Sequence, residues 1–157
     1  MAALILGIDM RKATNVISIV LILLYFAFLV IGWNSFPSEL PVHFDASGVA
    51  DRFGSKSSLL VEPAVMTGLF LLLAVVERFP KLWNIPVDVV EDNEESVLNT
   101  CYMMFGILKI AIILVCAFAG LMCIYTGFPS WPMYLMVGVV IITVVISVIK
   151  IYGSKTA

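Results

Sequence analysis

The only histidine of the chain, His43, stands two residues before Asp45 and eight before Asp51. An imidazole with two carboxylates is an N/O donor set that can hold a divalent cation. The same groups can instead order a turn through hydrogen bonds. There is no second histidine, and the residue order offers no Ser-His-Asp constellation for nucleophilic catalysis. No catalytic residue and no cofactor is expected, and His43, Asp45 and Asp51 are metal candidates only in a secondary reading.

Two other ionisable residues stand in apolar surroundings, Glu77 and Lys109. A charge at the centre of a bilayer costs about 2.5–3.5 kcal/mol on insertion scales, so such a group faces protein or snorkels outward. Lys109 is expected at a shallow depth similar to that of Glu77, pairing with it or snorkelling. An ion or substrate path is the alternative. Cys101, Cys116 and Cys123 match no metal-ligand spacing and read as free thiols between helices.

The elements that position these residues follow from composition. The chain of 157 residues is 62% hydrophobic and 13% charged, against about 45–50% and about 25% for a soluble domain. A spanning helix needs about 20 apolar residues to cross a hydrocarbon core about 30 Å thick. Four stretches suffice, at about 13–33, 59–79, 98–125 and 131–149. They are too continuously apolar for barrel strands, which alternate. The expected fold is all-α, a polytopic membrane bundle of four transmembrane helices, forming one integral membrane domain over 1–157. A short ordered extracytoplasmic loop (34–58) joins the first two helices, and a cytoplasmic loop (80–97) joins the next two. The start, MAALILGI, is too short to span and reads as interfacial or disordered.

Loop cations orient the bundle. Arg11, Lys12, Arg78, Lys81, Lys150 and Lys155 would lie on one side, and Arg52 and Lys56 on the other. Positive residues favour the cytoplasm, so both termini are expected there, with loop 34–58 outside. Glu91, Asp92, Glu94 and Glu95 precede the third helix, where carboxylates complement the positive helix end and Asp92 or Asn93 can cap it. A surface for a cytoplasmic partner is the second reading of that cluster. Cys116 with Gly120, and Thr143 with Ser147, stand four residues apart and suggest close helix packing.

The outer loop carries turn chemistry. The residue before Pro41 is held away from the α region. Asp45 can bond forward to the backbone and Gly48 can take positive φ. A second turn is expected at Phe53-Gly54, with Val42, Phe44, Val49 and Phe53 as apolar anchors and an Asp51–Lys56 pair across the loop. Glu62 and Pro63 stand where the second helix starts. The loop thus reads as an ordered cap.

The series Pro41, His43, Phe44, Asp45, Gly48, Asp51, Phe53, Gly54, Lys56, followed by Pro63, resembles the signature of a bacterial membrane domain of unknown function also found in SdpI-type immunity proteins. Asn84, Pro86, Val87, Glu91, Asn93 and a lysine in the third span extend the resemblance. It implies a non-enzymatic protein of the bacterial cytoplasmic membrane. SdpI-type members protect their producer from a secreted toxic peptide and can hold a transcriptional repressor at the membrane. The expected function is recognition of a peptide or envelope component at the outer face, with His43, Asp45, Asp51 and Lys56 forming or ordering the surface. A transporter accessory subunit is the alternative, and a metal-binding membrane protein the third reading. The expected partners are the lipid bilayer and a secreted peptide or another membrane protein. A homo-oligomer is left open, and no basic run suits nucleic acid.

Overall fold

The computed structural model describes residues 2–45 and 47–154. Four helices dominate: α1 (Ala2–Gly32), α2 (Val61–Val76), α3 (Glu94–Ile124) and α4 (Trp131–Gly153). Each contributes a stretch long and apolar enough to cross a membrane. Leu23, Leu24, Ile31, Leu71, Leu72, Ile141 and Ile142 lie exposed along α1, α2 and α4. Apolar surface of that extent is rare on soluble monomers and fits helices surrounded by lipid.

The helix ends follow the proline positions. Helix α1 tightens into a 3₁₀ turn at Trp33–Ser35 and becomes extended at Phe36, the residue before Pro37, as steric conflict with a proline ring requires. Pro63 falls in the first turn of α2, where a missing N–H costs no helical bond. Pro132 starts α4 in the same way. Between α3 and α4, Gly127 has φ of 112°, in the region only glycine enters freely.

Three sequence expectations are corrected. Helix α1 starts at Ala2, so the apolar start, for which disorder was one of the two expectations, is a continuous part of that helix. Helices α3 and α4 start or end a turn beyond the expected limits, and α2 is shorter, preceded by a 3₁₀ segment at Lys56–Leu60. The loop between α1 and α2 is a β-hairpin, so the chain is not purely α-helical. Strands β1 (Glu39–Phe44) and β2 (Ala50–Ser55) pair antiparallel with Leu40 opposite Gly54 and His43 opposite Arg52, and register irregularities flank His43.

The pairing between α1 and α3 defines the bundle. Arg11 lies over the ring of Tyr102, Thr14 meets Gly106, Asn15 meets Lys109, and Tyr25 meets Gly120. Both numbers rise together, so α1 and α3 run parallel. Glu77, at the end of α2, joins Lys109, while Glu62, at its start, lies beside Gly120. Helix α2 therefore runs antiparallel to both, and α4 packs on α3. One apolar cluster joins Tyr25, Leu29, Leu40, Leu59, Met66 and Ile113 near the hairpin. A second joins Val87, Val97, Cys101 and Ile151 at the opposite end.

Candidate functional site

The hairpin is built from the motif residues, and they divide by task. Pro41 is buried opposite Phe53. At the tip, Asp45 Oδ1 accepts from the backbone N–H groups of Ser47 (2.8 Å) and Val49 (2.9 Å). The Asp45 backbone closes the same turn with Gly48 and Val49. Gly48 has φ of 79°, and a side chain there would crowd Ser130 at the start of α4. Gly54 admits the side chain of Val42 from the facing strand. At the base, Lys56 Nζ donates to the carbonyl of Trp33 (2.8 Å) and lies 5.1 Å from the centre of the Trp33 ring. Pro41, Asp45, Gly48, Gly54 and Lys56 thus hold the hairpin together and place it against α1 and α4.

His43 and Asp51 have a different setting. His43 Nδ1 lies 2.5 Å from Asp51 Oδ1, and the two side chains are 52% and 49% exposed. Asp51 therefore pairs with His43, and Lys56 turns to Trp33, where the sequence suggested Asp51 with Lys56. Asp45 is occupied by its own turn. Among the described residues no group of three His, Cys, Asp or Glu side chains converges on a metal position. The apolar anchor is also not the expected one. Val49 and Phe53 are exposed, and Leu40 packs on Leu59 instead, while Phe44 is partly buried.

A second polar constellation lies within the bundle. Lys109 Nζ donates to Glu77 Oε2 at 2.7 Å and to Asn15 Oδ1 at 2.5 Å. Glu77 and Lys109 are the pair anticipated from sequence. Asn15 was visible as a polar residue inside the first apolar stretch, but nothing in the sequence tied it to Lys109, 94 positions away. The three residues connect α1, α3 and the end of α2.

In the α2–α3 connection, Asn93 is buried and bonds backward: its Oδ1 accepts from Val90 N–H and its Nδ2 donates to the Asp88 carbonyl. It makes no side-chain cap to α3. Glu94 and Glu95 occupy the first turn of α3, where they complement the helix dipole. Cys101, Cys116 and Cys123 are free thiols.

Residues 20–67 match the domain of unknown function DUF1648. The matched stretch runs from within α1 through the hairpin into the first turns of α2, so it contains every residue of the hairpin motif. The chain is also similar to an uncharacterized protein of Archaeoglobus fulgidus, 30% identical over 86 residues, which cover 50% of this chain and 47% of that protein. The chain thus spans about half the length of this curated relative, which is archaeal where the sequence reading expects a bacterial membrane. No solved structure matches. The architecture these findings describe is a four-helix chain of membrane-spanning composition, with a DUF1648-like segment folded as a hairpin over one end of the bundle.

Proposed function

We propose that this is a non-enzymatic, multi-pass protein of the cytoplasmic membrane whose hairpin recognises a peptide or envelope component on the outer side. The observation that carries this reading is the position of the His43–Asp51 pair. The other polar motif residues are used in folding the hairpin, whereas these two stand half-exposed on its surface. Pairing an imidazole with a carboxylate offers a donor and an acceptor to a peptide backbone or a polar side chain. Arg52 and Phe53 lie exposed beside them and add a cation and an apolar ring. SdpI-type immunity or signalling is the form of recognition to which the motif resemblance points. The excess of cations at the end bearing the termini supports a cytoplasmic location for both, and a reporter inserted after Ser57 that behaved as cytoplasmic would overturn that orientation.

The test is a strain lacking the gene, challenged with secreted toxic peptides and envelope stresses, and complemented with wild type, His43→Ala or Asp51→Asn. Wild type restores tolerance, and the two variants fold and reach the membrane but fail to restore it. Full complementation by both variants refutes the assignment of these residues.

A further inference from the structure

Beneath the hairpin the structure holds two adjoining cavities that the motif residues do not explain. One, of about 290 Å³, is lined by Val42, Phe44, Glu62, Met122, Cys123 and Tyr134, among others. The other, of about 260 Å³, lies under the hairpin base and shares Val42, Glu62 and Cys123 with the first. Glu62 therefore stands where the two meet, between the hairpin, the start of α2 and the last turns of α3. Among the described residues its Oε2 is buried without a hydrogen-bond partner. Close by, the hydroxyl of Tyr25 is also buried without a partner, in a residue only 6% exposed. The two groups converge on Gly120: a methyl group there would overlap the Tyr25 hydroxyl and lie 3.7 Å from the Glu62 carboxyl carbon.

A buried carboxylate oxygen in a mostly apolar setting is costly unless something donates to it. Among the described residues no basic side chain lines either cavity. The chamber is also well matched to one kind of donor. Each of the two parts falls just below the range of about 300–1,000 Å³ typical of small-molecule sites, which suits a single side chain or a small amine. Valine, methionine and aromatic walls accept an aliphatic stem, and aromatic rings tolerate a cation beside them. Glu62 and Asp45, which both line the first cavity, disfavour an anion, and among the described residues no third His, Cys or acidic side chain converges with them to complete a ligand set for a divalent metal.

We propose that Glu62, assisted by the Tyr25 hydroxyl, binds an ammonium group on an aliphatic stem in this chamber, the side chain of a lysine in a recognised peptide. The assignment of a peptide as carrier rests on the recognition function proposed above; the ammonium site itself rests on the chamber.

Cys123 lines both cavities and reports occupancy. The full chain with Cys101→Ala and Cys116→Ala is placed in phosphatidylglycerol nanodiscs, and labelling of Cys123 by N-ethylmaleimide is timed. Acetyl-Ala-Lys-Ala-amide is the probe, and the same peptide with norleucine in place of lysine is the neutral control. With probe at about ten times its dissociation constant, labelling slows roughly tenfold, while the norleucine peptide leaves it unchanged. Glu62→Gln abolishes the protection, and Tyr25→Phe weakens it. If Glu62→Gln does not fold, the contrast between lysine and norleucine in the Glu62 protein decides alone. Unprotected Cys123, equal protection by both peptides, or protection that persists in Glu62→Gln each overturns the site. Phosphatidylethanolamine discs show whether a lipid ammonium is the carrier: Glu62-dependent protection without peptide keeps the site and overturns the peptide assignment. Loss of complementation by His43→Ala with an unprotected Cys123 would reject the chamber alone and leave the recognition surface standing.

Discussion

Lys109 Nζ lies 2.7 Å from Glu77 Oε2, and neither side chain reaches the surface of the protein. The ammonium completes its coordination on Asn15 of α1. Each ion alone would be expensive in this setting. Together they form a polar junction that specifies how α1, α2 and α3 meet, because any shift along a helix axis would leave a buried charge without its partner.

The first prediction concerns this junction. Glu77→Leu or Lys109→Met alone removes one charge and strands the other, lowering stability by about 3–5 kcal/mol. The double variant Glu77→Leu/Lys109→Met recovers most of the loss, because no buried charge remains. Reversible unfolding in mixed micelles, read as a double-mutant cycle, measures the coupling. A double variant as unstable as the sum of the singles would show that the two residues act independently.

Near that junction α1 and α3 meet at Gly106, where an added methyl would lie 2.8 Å from Thr14 Cγ2. Gly106→Ala forces the helices apart and lowers stability by about 1–3 kcal/mol, the usual cost of overpacking. Thr14→Ala removes the two nearest opposing atoms, Cγ2 and Oγ1, so Gly106→Ala/Thr14→Ala is more stable than Gly106→Ala alone. Melting temperatures of the detergent-purified variants provide the check. An unperturbed Gly106→Ala protein would contradict the close crossing.

The third prediction separates the hairpin from the bundle. Lys56→Met keeps the length of the side chain but loses the hydrogen bond to the Trp33 carbonyl, worth about 1.5–3 kcal/mol for a charged donor. The expected result is faster amide exchange through residues 39–55 with little change in the middle of α3. Hydrogen exchange by mass spectrometry resolves the two regions. Uniform loosening of both would mean that the hairpin and bundle unfold as one unit.

Much of the bundle was legible because the signals were local. Four apolar runs of sufficient length announce four helices, and prolines next to aromatic or polar residues announce where they stop. The Glu77–Lys109 pair was also accessible, since two isolated charges at similar depth have few other partners. The hairpin was not. Leu40, Val42 and Phe44 alternate with Glu39, Pro41 and His43 in the first strand, but the second strand, ADRFGS, has no period of two, and burial follows neither, with Leu40 and Pro41 buried in succession. Turn chemistry at Asp45 and Gly48 was recognised as ordered, whereas the second turn expected at Phe53-Gly54 falls inside strand β2, where both residues pair with β1; a turn signal alone does not say that the flanking segments pair. Asn93 shows a related difficulty. Its residue type suits a helix cap, yet its side chain satisfies Val90 and Asp88 in the preceding loop, a choice made by the path of the backbone.

By itself the sequence determined the class of the molecule: apolar length sets the number of helices, and the motif from Pro41 to Lys56 marks the segment between the first two. Which side chains meet was decided only by the tertiary structure. His43 chose Asp51 over the other nearby carboxylate because Asp45 folds back onto its own turn. Lys109 found Asn15 because α1 and α3 run parallel and in register. Glu62, Tyr25 and Gly120, distant along the chain, come together because α2 runs back along both. Hydropathy is a sum over neighbours in sequence, whereas hydrogen bonds and steric contacts depend on distances in space.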